Sequence, residues 1–391
     1  MNVKQIAEFV NDATLQALGV TAEGTPVSLI KEDLSNVVDV GNAVYTAGKY
    51  EAYLEALINR IGRTIFNDRV YQGKAPRVLR NGWEYGSVMQ KISGDLSEAS
   101  DNPAWDLVNG ASYDQDTFVK SKVEAKFFNS KTTLCIKNSI TRKQLKQSFT
   151  SAGELNRFIE MLYTWIRNSM TVLVDELILR TINNMTAETI YAKYQGGAQT
   201  AVGDARAVNL LASYKVIHPA TTLTAATCLY DPDFLRYVTG EMGKYIERMQ
   251  QMSRVFNLGH RARFTPRDLL HVVLHTDLIK NTDTYLSSTT FHEEFNKLPM
   301  ADIVSYWQGS GDDYDPADTM SINVKTVAGH EIAVSGLIGV MFDHDALGVL
   351  NEEAYTDSHW NAAAEFWNEW HKKDAEYFND MNEAFVAFFV A

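Results

Sequence analysis

Residues 382–391, Asn-Glu-Ala-Phe-Val-Ala-Phe-Phe-Val-Ala, read as a β-strand that is apolar on both faces. With a side-chain period of two, Phe385, Ala387 and Phe389 point one way. Val386, Phe388 and Val390 point the other, so both sides need cover. Burial stabilises each large side chain by roughly 2 kcal/mol, which makes a frayed, solvated tail untenable. This segment is therefore expected inside a core, closing a sheet whose other strands come from far earlier in the chain.

A chain of 391 residues is too long for one ordinary core and predicts two or three structural regions. Its apolar content of 45% and charged content of 22% place it among globular proteins. A formal net charge of −13 argues against a grip on nucleic acid, which needs clustered Lys and Arg at the phosphates. Cys135 and Cys228 sit in apolar, strand-like contexts and read as small buried hydrophobes of a protein made in a reducing compartment. The first residues carry no apolar signal-peptide core, and no long uncharged apolar run follows, so a soluble, non-secreted product is expected.

Along the chain, Val3, Ile6, Val10, Ala13 and Ala17 recur at helical spacing, with Gly19 as a stop. A second amphipathic helix is predicted near Ala47 to Phe66. From Tyr71 to Phe128 the character changes. Strand-like flanks at Trp83 to Ile92 and Lys120 to Phe128 enclose a polar middle whose apolar anchors are Leu96, Trp105, Leu107 and Tyr113. Such an excursion cannot bury a core of its own, and the paired flanks favour a long hairpin that orders against a neighbouring subunit.

Ser151-Ala-Gly-Glu154 is a capping box, after which an apolar stripe runs from Leu155 to Ile178. The pattern predicts a helix ending at Asn183-Asn184 and about 50 Å long. Beyond it the chain reads as mixed α and β. Helices are expected from Val208, from Asp231-Pro232 through Gln251, and over Phe291 to Leu298. Strands are expected at Ala225–Tyr230, His271–His275, Ser321–Val324 and, as one continuous run, Glu331–Phe342. Gly336 and Gly339 inside that run point to a bulge or a close backbone approach.

Candidate chemistry is sparse. His271 and His275 would share a helix face, but Val272-Val273-Leu274 favours a strand, and the glutamate of a zinc-binding motif is missing. Asp312, Asp313, Asp315 and Asp318 lack the distal glutamate of a calcium loop and read as a solvated tip. Asp343-His344-Asp345 has no nucleophile motif beside it. Trp360, Phe366, Trp367 and Trp370 read as core or subunit-contact aromatics. No catalytic, cofactor or metal site is assigned.

Taken in order, these parts resemble a tailed-bacteriophage major capsid protein of the Hong Kong 97 fold. The late segment Val334-Ser-Gly-Leu-Ile-Gly-Val-Met-Phe-Asp-His-Asp-Ala-Leu-Gly-Val-Leu350 is similar to the family's strand, acidic turn and Ala-Leu-Gly. Residues Tyr377 to Val390 resemble its terminal strand. The resemblance implies an α+β chain with an N-terminal arm and helix (1–67), an extended loop (68–133) and a peripheral domain with the spine helix (134–184). An axial domain (185–318) and the closing peripheral strands (319–391) complete it. It also implies hexamers and pentamers of an icosahedral shell around double-stranded phage DNA, held without sequence-specific binding. Assembly would take place in the host bacterial cytoplasm, with a portal protein and a scaffolding or decoration protein as further partners and no membrane. Ile6, Val10, Trp83, Tyr85, Trp105 and Tyr113 are the candidate inter-subunit contacts. Some relatives crosslink Lys to Asn between subunits; Lys91 lies near the loop, but no partner aligns. An encapsulin-like bacterial nanocompartment shell is the alternative within the same fold. A metal-dependent enzyme using His271, His275 and the acidic loop is the alternative outside it.

Overall fold

The computed structural model describes Asn11, Leu15 and residues 69–81, 88–97, 99, 101–113, 115–116, 118–141, 152–286, 298, 300–308, 319–325 and 329–391, with backbone alone at 81, 152–156 and 351–353. The chain divides into two compact units, Met1–Asp68 and Arg69–Ala391. In the first, Asn11 and Leu15 are helical; every element named below belongs to the second.

In chain order these are β1 (Leu79–Asn81), β2 (Met89–Gly94), β3 (Val123–Phe128), β4 (Lys131–Thr141), α1 (Ala152–Tyr194), β5 (Ala207–Asn209), α2 (Leu210–Ile217) and α3 (Pro232–Met249). There follow β6 (Leu270–His275), α4 (Thr276–Leu286), β7 (Met300–Val304), β8 (Ile322–Lys325), β9 (Glu331–Val334), β10 (Leu337–Asp343), β11 (Leu347–Asn361), β12 (Phe366–Asn379) and β13 (Phe385–Phe389).

The doubly apolar segment is β13, held inside a five-stranded sheet of order β5-β13-β10-β6-β7. Its neighbour β5 lies far earlier in the chain and runs parallel to it; β10 lies shortly before it and runs antiparallel. Phe385, Ala387 and Phe389 join one core cluster with Leu177, Ile178, Ile182, Met185 and Ile190 of α1. Val386, Phe388 and Val390 join another with Phe234, Leu235, Val238 and Met242 of α3. One strand therefore separates two cores, and this is why neither of its faces is polar.

A second sheet has the order β1-β11-β12-β4. Helix α1 packs on both sheets, touching β13 and β5 in one and β4, β11 and β12 in the other. At 1.5 Å per residue it is about 65 Å long. The incoming chain is clamped to it. The Tyr71 N–H donates to Asn168 Oδ1 at 2.8 Å, Asn168 Nδ2 donates to the Arg69 carbonyl at 2.8 Å, and the Tyr71 hydroxyl donates to Asp175 Oδ2 at 3.0 Å. Burial, and then Asp175, push the Tyr71 phenol up to about 12. Among the described residues no helix is long and apolar enough to cross a membrane.

Several expectations need correction. Helix α1 does not end at Asn183-Asn184 but runs on to Tyr194. Asn183 is buried and its side-chain amide donates to the Trp307 carbonyl, so it stays helical instead of capping. The stop comes at Gln195 and Gly196, which take φ of 48° and 78°. Ala225–Tyr230 is a turn followed by a 3-10 helix at Cys228–Tyr230, because Thr224 and Thr227 bond each other's backbone and side chains. A short apolar run fixes neither its period nor its burial: of these six residues Cys228 and Leu229 are buried and the rest exposed. The run Glu331–Phe342 is two strands. Gly336 breaks it at φ 68°, where a Cβ would lie 2.1 Å from the Val390 carbonyl oxygen. Cys228 is buried as expected, whereas Cys135 is exposed on the outer strand β4. The strands at His271–His275 and Ser321–Val324 and the helix opened by Asp231-Pro232 form as predicted. The helices expected over 2–19, 47–66 and 291–298, Ser151 with the side chains of its capping box, and the acidic loop 309–318 fall wholly or largely outside the described residues.

Candidate assembly surface

Strands β2 and β3 pair antiparallel with Met89 opposite Phe128 and Gly94 opposite Val123, so the expected hairpin is present. Burial alternates along both strands, and the hairpin turns its lysines and glutamate inward while leaving several apolar residues outward. Its inward face carries Lys91, Glu124 and Lys126 together with Met89, Ser93 and Phe128, whose ring centroid lies 5.3 Å from that of Phe378. Its outward face carries Ile92, Val123 and Phe127, about two-thirds exposed at 65%, 64% and 65%. Three large apolar side chains are thus left uncovered by the described part of their own subunit.

The charged face roots the hairpin on the body. Lys91 Nζ lies 2.9 Å from Asp380 Oδ2 and 2.8 Å from Glu383 Oε1, and donates to the Asp345 carbonyl at 3.0 Å. Lys126 Nζ reaches Asp380 Oδ1 at 2.8 Å. Arg261 pairs with Glu124 at 2.8 Å, while Arg263 bonds Glu383 at 3.2 Å and the Gly94 carbonyl at 3.0 Å. Burial alone would raise the Asp380 carboxyl. The bonds from Lys126 and Lys91 and from the Asn382 N–H outweigh it and hold the group below the usual carboxylate range. Lys91, considered above for crosslinking, thus spends its ammonium inside its own subunit.

Beyond the ladder, the excursion between β2 and β3 has little packing of its own. Asn102 caps a 3-10 turn at Pro103–Trp105, and the Val108 N–H donates to the Tyr113 hydroxyl at 2.9 Å. Trp105 is 96% exposed, and Phe118, Val119, Leu107 and Val108 are exposed with it. These apolar side chains are left uncovered by the described part of their own subunit. Of the sequence-predicted contacts, Trp105 and Tyr113 lie on this excursion, both exposed. Ile6, Val10, Trp83 and Tyr85 fall outside the described residues. Sequence reasoning missed Ile92, Val123 and Phe127. The signal was partial: Ile92 alternates with Lys91, and Val123, Ala125 and Phe127 alternate with Glu124 and Lys126, but the choice of face was the unknown.

The residues weighed for chemistry are elsewhere. His271 and His275 lie on β6; His271 Nε2 meets His344 Nδ1 at 2.9 Å, and His275 Nε2 meets the Ser305 carbonyl at 3.1 Å. Among the described residues no group of three or more His, Cys, Asp or Glu is placed to hold a metal. The tryptophan pair Trp360 and Trp367 closes the far end of the β11–β12 hairpin, with ring centroids 4.1 Å apart.

Comparison with solved structures places the architecture. A chain of the Staphylococcus phage Andhra capsid superposes with a TM-score of 0.55 at 11% identity, over 85% of this chain and 87% of that one. A chain from the structure of the head fiber and inner core protein gp22 of native bacteriophage P68 gives 0.52 at 10% identity, over 84% and 87%. At such identities the likeness is one of fold, and the fold is the Hong Kong 97-like α+β capsid fold. No curated protein sequence matches significantly. The sequence does match the family model described as Phi29-like phage major capsid protein over residues 18–389. This favours a phage head over an encapsulin-like compartment, and the chain belongs to the Phi29-like phage major capsid protein family.

Proposed function

We propose that this capsid protein assembles into hexamers and pentamers of an icosahedral shell enclosing double-stranded DNA. In this reading its hairpin and N-terminal arm complete neighbouring subunits. The observation that carries it is the hairpin, with Lys91 and Lys126 turned to its own body and Ile92, Phe127 and Trp105 turned to solvent. Apolar area left open on a single copy is the driving force for association, and closed symmetry multiplies modest contacts into a durable container. Residues 1–67 act as the arm, 68–133 as the extended loop, and 134–184 as the peripheral domain with the spine. Residues 185–318 form the axial domain and 319–391 the closing strands. The net charge of −13 suits a wall that does not hold the packed genome by its phosphates. A portal protein, and a scaffolding or decoration protein, are the further partners; assembly takes place in the host bacterial cytoplasm, and the chain performs no catalysis.

Sedimentation and negative-stain imaging of the purified protein test this reading. Rings of five and six subunits, or closed shells, are expected. A monomer that persists at high concentration overturns it.

A further inference from the structure

Two stretches of the chain are one-sided in charge. Residues 96–119, the excursion between β2 and β3, contain Glu98, Asp101, Asp106, Asp114 and Asp116 and no lysine or arginine. Residues 248–267, from the last turn of α3 into the loop before β6, contain Arg248, Arg254, Arg261, Arg263 and Arg267 and no acid. In a chain of net charge −13, so basic a run calls for an acidic partner.

Part of that demand is met inside the subunit. Arg261 and Arg263 are engaged at the hairpin root by Glu124 and Glu383. The other three are not held in this way. Arg248 is exposed and lies over the Tyr245 ring, with no carboxylate partner among the described residues. Arg254 comes no closer than 4.0 Å to Asp95, and Arg267 no closer than 3.7 Å to Glu247, with the arginine side chains 59% and 45% exposed. Exposed pairs of this kind contribute little. On the acidic stretch, Asp101 and Asp106 are exposed, and their carboxylates have no partner among the described residues.

Both stretches also carry uncovered apolar surface. An antiparallel bridge joins Ser253 to Arg263, and Met252 and Phe264 flank it on the two strands. Both are about half exposed, as is Val255. The Thr265 N–H donates to the Met249 carbonyl at 2.8 Å and fixes this patch to the end of α3. The excursion offers Trp105, Phe118 and Val119. Like charges keep two excursions, or two loops, apart; opposite charges match an excursion to a loop. Two different patches that match head to tail build a ring, whereas one patch matching itself stops at a dimer.

We propose that the excursion of one copy docks on the 248–267 loop of a second copy, setting Trp105 on Met252 and Phe264 and bringing Asp101 and Asp106 to Arg254 and Arg267. The inference rests on the assembly reading above and names the surface that receives the projection. The occupant is a second copy because both patches, opposite in sign, stay bare in the same subunit, with Trp105 96% exposed.

Charge reversal tests this. The loop variant carries Arg254→Glu and Arg267→Glu; the excursion variant carries Asp101→Lys and Asp106→Lys. Each should melt like wild type as a free subunit, yet need about tenfold or more protein to assemble, because like charges then face each other. An equal mixture of the two should assemble nearly as well as wild type. The unaltered excursion of one variant meets the unaltered loop of the other, and the reversed excursion meets the reversed loop. A contact made within one chain gains nothing from mixing. In wild type, hydroxyl-radical footprinting should label Trp105 and Met252 in the free subunit and lose both on assembly, a measurement that needs no variant to fold. The inference is overturned by normal assembly of either variant, by a mixture no better than its components, or by Met252 labelled as strongly in the assembly as in the free subunit. Wild-type protein that never assembles overturns the assembly reading, and this inference with it.

Discussion

Lys91 Nζ stands 2.9 Å from Asp380 Oδ2, and Asp380, 3% exposed at its side chain, takes a second ammonium from Lys126. Two strands of the projecting hairpin thus meet on one buried carboxylate in the turn that leads into β13. Asp380→Asn keeps the shape and removes the charge. We expect a loss of about 1.5–3 kcal/mol in denaturant unfolding of the free subunit, the usual worth of charge-assisted hydrogen bonds. The sign against pH is fixed by the lowered folded value. The contribution is fully present above the ordinary aspartate value of about 3.9 and disappears as pH falls through the lower folded one. The gap between wild type and variant should therefore stay constant from pH 7 to about pH 5 and close below pH 4. A gap that closes near neutrality would assign the effect to another group.

His271 is buried, stacks on Phe342 with centroids 4.9 Å apart, and has no hydrogen-bond partner at Nδ1. Burial first, then His344 and the nearby Arg80 and Arg77, push its pKa down to about 3. Between the ordinary value of about 6.5 and that lower one, only the unfolded chain accepts the proton, so stability falls with acidification. His271→Phe should make the decline shallower by about 1.4 kcal/mol per pH unit across this window. Equal slopes for variant and wild type would contradict the burial-driven shift.

Gly336 sits at φ 68° with no room for a methyl group beside the Val390 carbonyl. Gly336→Ala combines a left-handed backbone with a steric clash, and should cost about 2 kcal/mol or more. Thermal unfolding measures it. Gly240→Ala in α3, where a Cβ meets nothing within 4 Å, is the control and should be neutral or stabilising.

Trp105 touches little in its own subunit, so Trp105→Ala should change subunit stability by no more than about 0.5 kcal/mol. If the excursion is a contact surface, assembly followed by light scattering should nonetheless require several-fold more protein. Unimpaired assembly would remove Trp105 from the contact.

Local residue patterns were enough to predict the core strand, the helix opened by Asp231-Pro232 and the hairpin. Phe385 to Val390 could satisfy neither face in water, and Asp231-Pro232 could only open a helix. What periodicity cannot carry is direction. The alternation of Ile92 with Lys91 is the same whichever face turns inward, and only the position of Asp380 and Glu383, far along the chain, turned the lysines in. Nor could Asn183 be known to continue its helix, because the carbonyl that satisfies it belongs to Trp307. Propensity and period are short-range and written in the chain; the partner of a buried charge is set by residues that only folding brings near.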